Sequence, residues 1–297
     1  MCPYCQNVKF IKKKGFYIKR STRTSRVQRY FCRRCQKSFS DQTGRLTYKE
    51  KKPHVNQAVF RFTCSGVSQT RVALILGVCR NTVANKITKL ARFARRDHRQ
   101  WQRSQPYSKE VQFDEMETFE HSKCKPISIA VAVNKDNRAI IAAVPASMPA
   151  KGPLAKISRR KYGPRKDNRP HALRQLMEQI RTTHVHIAGC VRTDKKSLYR
   201  RFTASYFNTT PHETTKGRRG CVVGQGELKR GGYDPIFNLN HNCAMFRDNL
   251  KTLSRRTWCT VKKLCRFFDL LDLYIRYHNQ LIVDKIRSPR ICPDPII

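Results

Sequence analysis

Residues 111–120 read V-Q-F-D-E-M-E-T-F-E and place Asp114, Glu115, Glu117 and Glu120 within seven positions. The chain around them carries 62 Lys and Arg against 20 Asp and Glu, a formal net charge of +42 over 297 residues. Val111 and Phe113 alternate with polar neighbours, which predicts a short strand ending at the acids. Carboxylates at a strand end, in a chain otherwise covered in Lys and Arg, suit a divalent cation held where a phosphate arrives. The competing reading is a solvated acidic face paired with nearby bases.

The next eighty residues favour the metal. Residues 126–134, P-I-S-I-A-V-A-V-N, form a second, strongly apolar strand. Lys135-Asp136-Asn137-Arg138 is a turn into a third strand, 139–144. A basic loop, 151–169, precedes a helix over 170–183, and 186–192 is again strand-like, ending in Thr193-Asp194. Three strands, a helix and a further strand with an acid at its end is the order of the ribonuclease-H-like fold. In that fold the first and fourth strands are neighbours, so Asp114 and Asp194 would meet and could bridge Mg²⁺ (or Mn²⁺) for phosphoryl transfer. Taken alone, Asp194 also suits the N-cap of a helix over 195–202.

The charge excludes an ordinary acidic or neutral enzyme surface and points to DNA or RNA as partner. A membrane is the other common polyanion. No apolar run approaches the roughly 20 residues a spanning helix needs, and the start of the chain lacks a signal peptide's apolar segment. A cytoplasmic, nucleoid-associated protein with no membrane partner is therefore expected. Thirteen cysteines could build a disulfide scaffold, but only four fall in a pattern. These are Cys2-Pro3-Tyr4-Cys5 and Cys32-Arg33-Arg34-Cys35, two C-x-x-C turns that together offer four thiolates to one structural Zn²⁺. Strand-like segments at 8–11, 15–18 and 27–31 lie between them, the layout of a zinc ribbon. A redox C-x-x-C would not need a second pair.

After Lys51-Lys52-Pro53 the pattern turns helical. Val55, Val59 and Phe62 make one stripe. Ser68 is placed to cap a second helix, 69–76, which ends at Gly77. A third opens at Arg80 or Asn81 and runs to about Arg96. A short helix, a glycine turn and a basic helix are the parts of a helix-turn-helix. Val72, Ile75, Leu76, Val78, Val83 and Ile87 would pack the helices together. Arg80, Asn81, Thr82, Asn85 and Lys86 would then face the major groove. The first 110 residues hold 27 Lys and Arg against 4 Asp and Glu, so this third is expected to bind nucleic acid, with 100–108 as linker.

Toward the C-terminus, Gly224 to Gly232 lacks the spacing of a phosphate-binding loop and is expected to be a flexible loop. A helix over 240–259 carries Cys243, Phe246, Leu250 and Leu253 on one face, with Arg247, Arg255 and Arg256 placed to meet DNA backbone. A second, over 261–279, would cover the sheet.

These residues resemble a known family. C-P-Y-C with F-C-R-R-C-Q-K-S-F-S, then the helix-turn-helix, then F-D-E, T-D-x-x-x-x-Y and R-D-N-L-K-T-L-S-R-R-T-W-C look like a bacterial insertion-sequence transposase. The match is to the family of insertion sequence one and its zinc-ribbon relatives. The resemblance implies a DDE-type enzyme, a zinc ribbon over 1–48, a helix-turn-helix and linker over 49–104, and a ribonuclease-H-like catalytic domain over 105–297. It implies binding to double-stranded DNA at terminal inverted repeats, metal-dependent strand cleavage and transfer, and a homodimer or larger assembly. Asp114 and Asp194 fall on the first two catalytic positions. The family's glutamate stands seven residues before the helix arginine, here Arg247, and that slot holds Asn240. Some zinc-ribbon relatives use Asn there, and an amide oxygen is a weaker ligand for a hard cation. Asn240 on the stripe of Cys243 should point to the sheet and Asp248 away from it; Asn240 also suits an N-cap. Glu227 and Asp234 are the carboxylates that could substitute. The alternatives are an inactive, transposase-derived DNA-binding regulator and a ribonuclease-H-like nuclease.

Overall fold

The computed structural model describes residues 1–18, 25–105, 108–183, 189–216, 234–255 and 257–283. The described chain is mixed α/β, with eight α-helices and two sheets. It forms two compact units that divide inside the first helix, one over Met1–Gln57 and one from Ala58 onward.

The first unit is a three-stranded antiparallel sheet in the order β1(Ile11–Ile18), β2(Arg26–Cys32), β3(Lys37–Ser40). Of the expected segment at 8–11 only Ile11 is strand; β1 runs from there into the segment at 15–18, broken in register between Lys13 and Phe16, where Gly15 takes φ 69°. That left-handed backbone is open to glycine at no steric cost, so the strand kinks without ending.

In the second unit, α1(Asn56–Thr63), α2(Gln69–Ile75) and α3(Arg80–Arg103) come first. Ser68 caps α2 as its position suggests, its hydroxyl accepting from the Arg71 N–H at 3.4 Å, and Gly77 stops it at φ 58°. Val72, Val83 and Ile87 are buried between the helices, but Ile75 is 59% exposed and lies outside that packing. The third helix runs on past Arg96 to Arg103, so the first four residues of the expected linker are helix. Its length is set by tertiary contacts. Thr88 donates to Asp269 at 2.8 Å and Arg95 pairs with Asp272, both on α8(Leu264–Arg276). Further along, the Gln102 amide donates to the Ile141 carbonyl at 2.7 Å.

The large sheet has the order β6-β5-β4-β7-β8, with β4(Glu110–Phe119), β5(Pro126–Asn134), β6(Ile140–Ser147), β7(Cys190–Asp194) and β8(His212–Thr215). β4, β5 and β6 are antiparallel neighbours, while β7 runs parallel to β4 and β8 parallel to β7. β5 is buried from Ile127 to Asn134, hence its unbroken apolar run. The turn at 135–138 is present, with Arg138 left-handed and the Asn134 N–H closing on the Ala139 carbonyl at 2.9 Å. Between β6 and β7 lie α4(Leu154–Tyr162), where the sequence suggests a loop, and α5(Arg169–Thr183). α6(Ser197–Tyr206) follows β7, and α7(Phe237–Asn249) precedes α8.

One face of the sheet buries Val111, Phe113, Ala130, Ala132 and Val191 against Leu173, Leu176, Met177 and Ile180 of α5 and Tyr199 of α6. The other face meets α7: the Gln112 carboxamide accepts from the Leu239 N–H at 3.2 Å and donates to the Pro235 carbonyl at 2.9 Å. The start of the edge strand β6 is capped by a side chain. Asn279 accepts from the Ile140 N–H at 2.9 Å and returns its amide to the Ile140 carbonyl at 2.8 Å. Among the described residues, no helix is long and apolar enough to cross a membrane.

Candidate functional site

The parallel ladder between β4 and β7 pairs Glu110 with Cys190, Val111 with Val191 and Gln112 with Arg192. Asp114 and Asp194 each lie two residues beyond the last of these pairs, so they stand level with one another. Side chains alternate across a strand, so both share the face of Gln112 and Arg192, the α7 face. The acids do not end β4, which continues to Phe119 beside β5. The strand that ends is β7, at Asp194, leaving the β4 carboxylates beside an open sheet position.

Asp114 is 27% exposed. Burial pushes its carboxyl above the ordinary range, and the charge of Asp194 adds to the rise. Three groups oppose it: the Glu115 N–H at 2.7 Å, the Tyr199 hydroxyl at 2.9 Å, and the Lys196 ammonium 3.9 Å away. Its near neighbour on α7 is Cys243, whose thiol is pushed up to about 12 by burial, with Arg247 opposing and Asp114 adding to the rise. Asp194 accepts from the Lys196 N–H at 3.1 Å, but α6 begins at Ser197, so Asp194 supports the turn before the helix and is not its N-cap. Every hydrogen bond made to these two carboxylates among the described residues goes to Oδ1, leaving the Oδ2 atoms for another electropositive group.

Glu115 faces the other way. Its side chain is 5% exposed and is held by the Ser128 hydroxyl at 2.7 Å, the Tyr199 hydroxyl at 3.1 Å and Lys196 Nζ at 3.1 Å. Glu117 pairs with Lys151 at 2.8 Å and Glu120 with Arg165 at 3.3 Å. The acid cluster therefore divides, with Glu117 and Glu120 in ordinary ion pairs and Asp114 left to Asp194. Tyr199 ties the two halves. Its place in T-D-x-x-x-x-Y is visible in the sequence, but only the fold brings its hydroxyl to Asp114. A second network, which sequence reasoning misses, lies at the start of β4. Glu110 pairs with Arg192 at 2.9 Å and Lys135 at 2.7 Å, locking β7 to β4 in register.

Asn240 is exposed, in the first turn of α7, three residues before Cys243 on the same side of the helix. The helix starts at Phe237, so Asn240 is not an N-cap. Its amide donates to the Asp234 carboxylate at 2.8 Å, and Asp234 in turn accepts from the Ile236 N–H at 3.1 Å. Asp234 thus holds the entry to α7. Asp248 is exposed at the far end of the helix. Glu227 lies outside the described residues. α7 ends at Asn249, ten residues short of expectation, where the Gly66 N–H takes the Asn249 carbonyl at 2.8 Å and Leu250 turns out of the helix. Arg247 is thus helical, Arg255 is exposed beyond the helix, and Arg256 lies outside the described residues.

At the start of α3, Arg80, Asn81 and Asn85 are exposed and Thr82 partly so. Lys86 is only 4% exposed, which removes it from a groove-facing set. It shares the buried side of α3 with Val83, Ile87 and Leu90.

The four paired cysteines meet. The sulfurs of Cys2, Cys5, Cys32 and Cys35 all lie within 4.8 Å of one another, with Cys2–Cys35 and Cys5–Cys32 at 3.6 Å. A tetrahedral zinc–thiolate site with bonds near 2.3 Å needs sulfurs about 3.8 Å apart, so the cluster could bind a structural metal such as zinc. Each pair is followed by a residue at φ 56°, Gln6 and Gln36, which folds the chain back; the Gln6 N–H closes on the Cys2 carbonyl at 2.9 Å. Burial raises the Cys2 thiol, but the backbone N–H groups of Tyr4 and Cys5 and the neighbouring thiols outweigh it and bring it down to about 7. Among the described residues this is the one group of three or more His, Cys, Asp or Glu placed to share an ion, so the two aspartates are a pair without a third acid. No family model matches the chain, and no curated protein matches it.

Proposed function

We propose that the protein is a DNA transposase that binds the terminal inverted repeats of its element and cuts and joins DNA strands at Asp114 and Asp194. The observation that carries this reading is the β4–β7 register, which sets these two carboxylates level on one face of the sheet. The strand order, with three antiparallel strands and a parallel fourth beside the first, is that of a ribonuclease-H-like domain. The four-cysteine cluster supports reading the first unit as a zinc ribbon, and the short α2, the Gly77 turn and the basic α3 support reading the next segment as a helix-turn-helix.

The donor set fits Mg²⁺ or Mn²⁺: hard carboxylate oxygens, mutually repelling, each with an atom left unbonded among the described residues. Bound there, a divalent cation would activate the attacking oxygen and stabilise the leaving one. The chain's residues do the rest. Tyr199 and the Glu115 N–H fix the rotamer of Asp114, and the Lys196 N–H fixes Asp194. Asn240 donates one amide N–H to Asp234, and its carbonyl oxygen would serve as the third ligand. Arg80, Asn81, Thr82 and Asn85 would meet base edges, with Arg247 and Arg255 on the backbone. Two ends must be joined, so a dimer or larger assembly acts.

The test is cleavage and strand transfer on labelled DNA carrying the element's ends, with Mg²⁺ or Mn²⁺. Wild type should give metal-dependent products that Asp114→Asn and Asp194→Asn each reduce by at least 10³-fold, on the order of one essential metal ligand's worth. Among the described residues no third acid joins the pair, which favours one rival, a transposase-derived regulator. Tight, end-specific binding without products under either metal would establish it.

A further inference from the structure

The exposed side of α3 continues well past its first turns. At 100° per residue, Arg92, Arg96, Arg99 and Arg103 fall within about 60° of one another, and the same line extends back through Asn85 and Asn81. All six are exposed, while the buried residues Val83, Leu90 and Ala94 lie on the opposite side. Four guanidiniums are thus presented along about 16 Å of one rigid helix. Acids barely offset them. Among the described residues Arg92, Arg99 and Arg103 make no ion pair, although the charge of Arg99 reaches Asp272; Arg96 lies over the Phe93 ring at 4.8 Å and pairs with its neighbour Asp97 at 3.5 Å, which Arg276 already holds at 2.9 Å. Beside the stripe, Arg95 is committed to α8. Together with Gln100 these arginines line an open hollow of about 410 Å³. Like charges three and four residues apart oppose helix formation, and the helix dipole offsets this only in the last turn.

We propose that Arg92, Arg96, Arg99 and Arg103 form a phosphate-backbone site that carries duplex DNA from the start of α3 along the body of the helix. This rests on the reading of the chain as a DNA-binding enzyme. Guanidinium suits the partner because its planar fork takes two phosphate oxygens at once. Past Asn85 the residues on the stripe itself are arginines, with the Gln100 amide to one side, so its main contribution is a grip on phosphate that does not select sequence. α3 also holds β6 and α8 through Gln102 and Arg95, so DNA on this stripe is held on the element that anchors the large sheet.

The experiment is fluorescence-anisotropy binding of full-length protein to labelled random-sequence duplex over a range of NaCl. For the combined variant Arg92→Gln, Arg96→Gln, Arg99→Gln and Arg103→Gln, the slope of log K against log [NaCl] should become shallower by about 3 to 4, at roughly 0.9 per lost phosphate contact. The loss should be the same for different sequences. The corresponding Arg→Lys variant keeps the charges and should keep the slope while binding more weakly, and thermal unfolding of both checks the fold. A wild-type slope in a folded Gln variant overturns the site. So does a variant that keeps DNA binding but loses wild-type binding to vesicles of anionic phospholipid, which assigns the stripe to a membrane surface. Stripe-dependent binding without any cleavage would leave this site standing and remove the catalytic reading. Asp114-dependent cleavage with an unaltered slope would do the reverse.

Discussion

Tyr199 shows how one side chain sets the chemistry of the candidate site. Its hydroxyl stands 2.9 Å from Asp114 Oδ1 and 3.1 Å from Glu115 Oε2, and its ring packs edge-on to Phe113 at 5.0 Å. Donation to Asp114 opposes the rise that burial and Asp194 impose on that carboxyl. Tyr199→Phe should therefore raise the Asp114 pKa further, and the acid limb of the cleavage pH profile should move to higher pH. It should also cost about 1–3 kcal/mol of stability, because the hydroxyl's one hydrogen is withdrawn from this largely buried carboxylate pair. Rate–pH profiles and thermal melts of the two proteins read both effects. Much at this scale is legible in the sequence. Asp114 and Asp194 stand out as acids at the ends of apolar runs in a basic chain, and the cysteines by their spacing. Lys86 does not, because a base among bases gives no sign of which helix face it occupies. Its burial comes from its place beside Val83 and Ile87.

Elements are legible in kind more than in extent. The acidic strand, the 135–138 turn, the Ser68 cap and α5 announce themselves through alternation, turn chemistry and capping. The ends of α3 and α7 do not, because partners distant in sequence decide them: Asp269, Asp272 and Ile141 for α3, and Gly66 for α7. β8 has only four residues and too little pattern to be read. The segment after α8 carries a pH-sensitive group. His278 is buried; its Nε2 lies 3.1 Å from the Arg138 carbonyl, which can only accept, so Nε2 carries the hydrogen. Among the described residues Nδ1 has no hydrogen-bond partner, and burial lowers the pKa to about 4. The folded state therefore resists a proton that the unfolded chain takes up near 6.5. This contribution is full above pH 6.5 and is lost as pH falls from there toward 4. The loss is at most about 3 kcal/mol, at 1.36 kcal/mol per unit. Urea unfolding of wild type and His278→Gln between pH 7 and 4 should show a shallower decline in the variant.

The whole molecule is two compact units with different sources of stability. Met1–Gln57 has three short strands and few buried apolar side chains, among them Val27 and Val55, too little to hold a sheet by burial alone. From Ala58 onward a large apolar core is present. Chelation of metal, or Cys5→Ser, should melt the first unit while the main thermal transition of the second keeps its midpoint within a few degrees. Calorimetry with and without a strong chelator tests this; loss of both transitions together would show that the second unit needs the metal as well.

At this scale the proposed chemistry depends on two aspartates acting as one site, and isothermal titration of Mn²⁺ into zinc-loaded protein measures that directly. Wild type should bind Mn²⁺. Asp114→Asn and Asp194→Asn should each weaken it by at least tenfold, about 1.4 kcal/mol, and the double variant by little more than either single one. Independent, additive losses, or Mn²⁺ binding unchanged in Asp194→Asn, would mean the level placement on β4 and β7 holds no shared ion and would contradict the two-aspartate site.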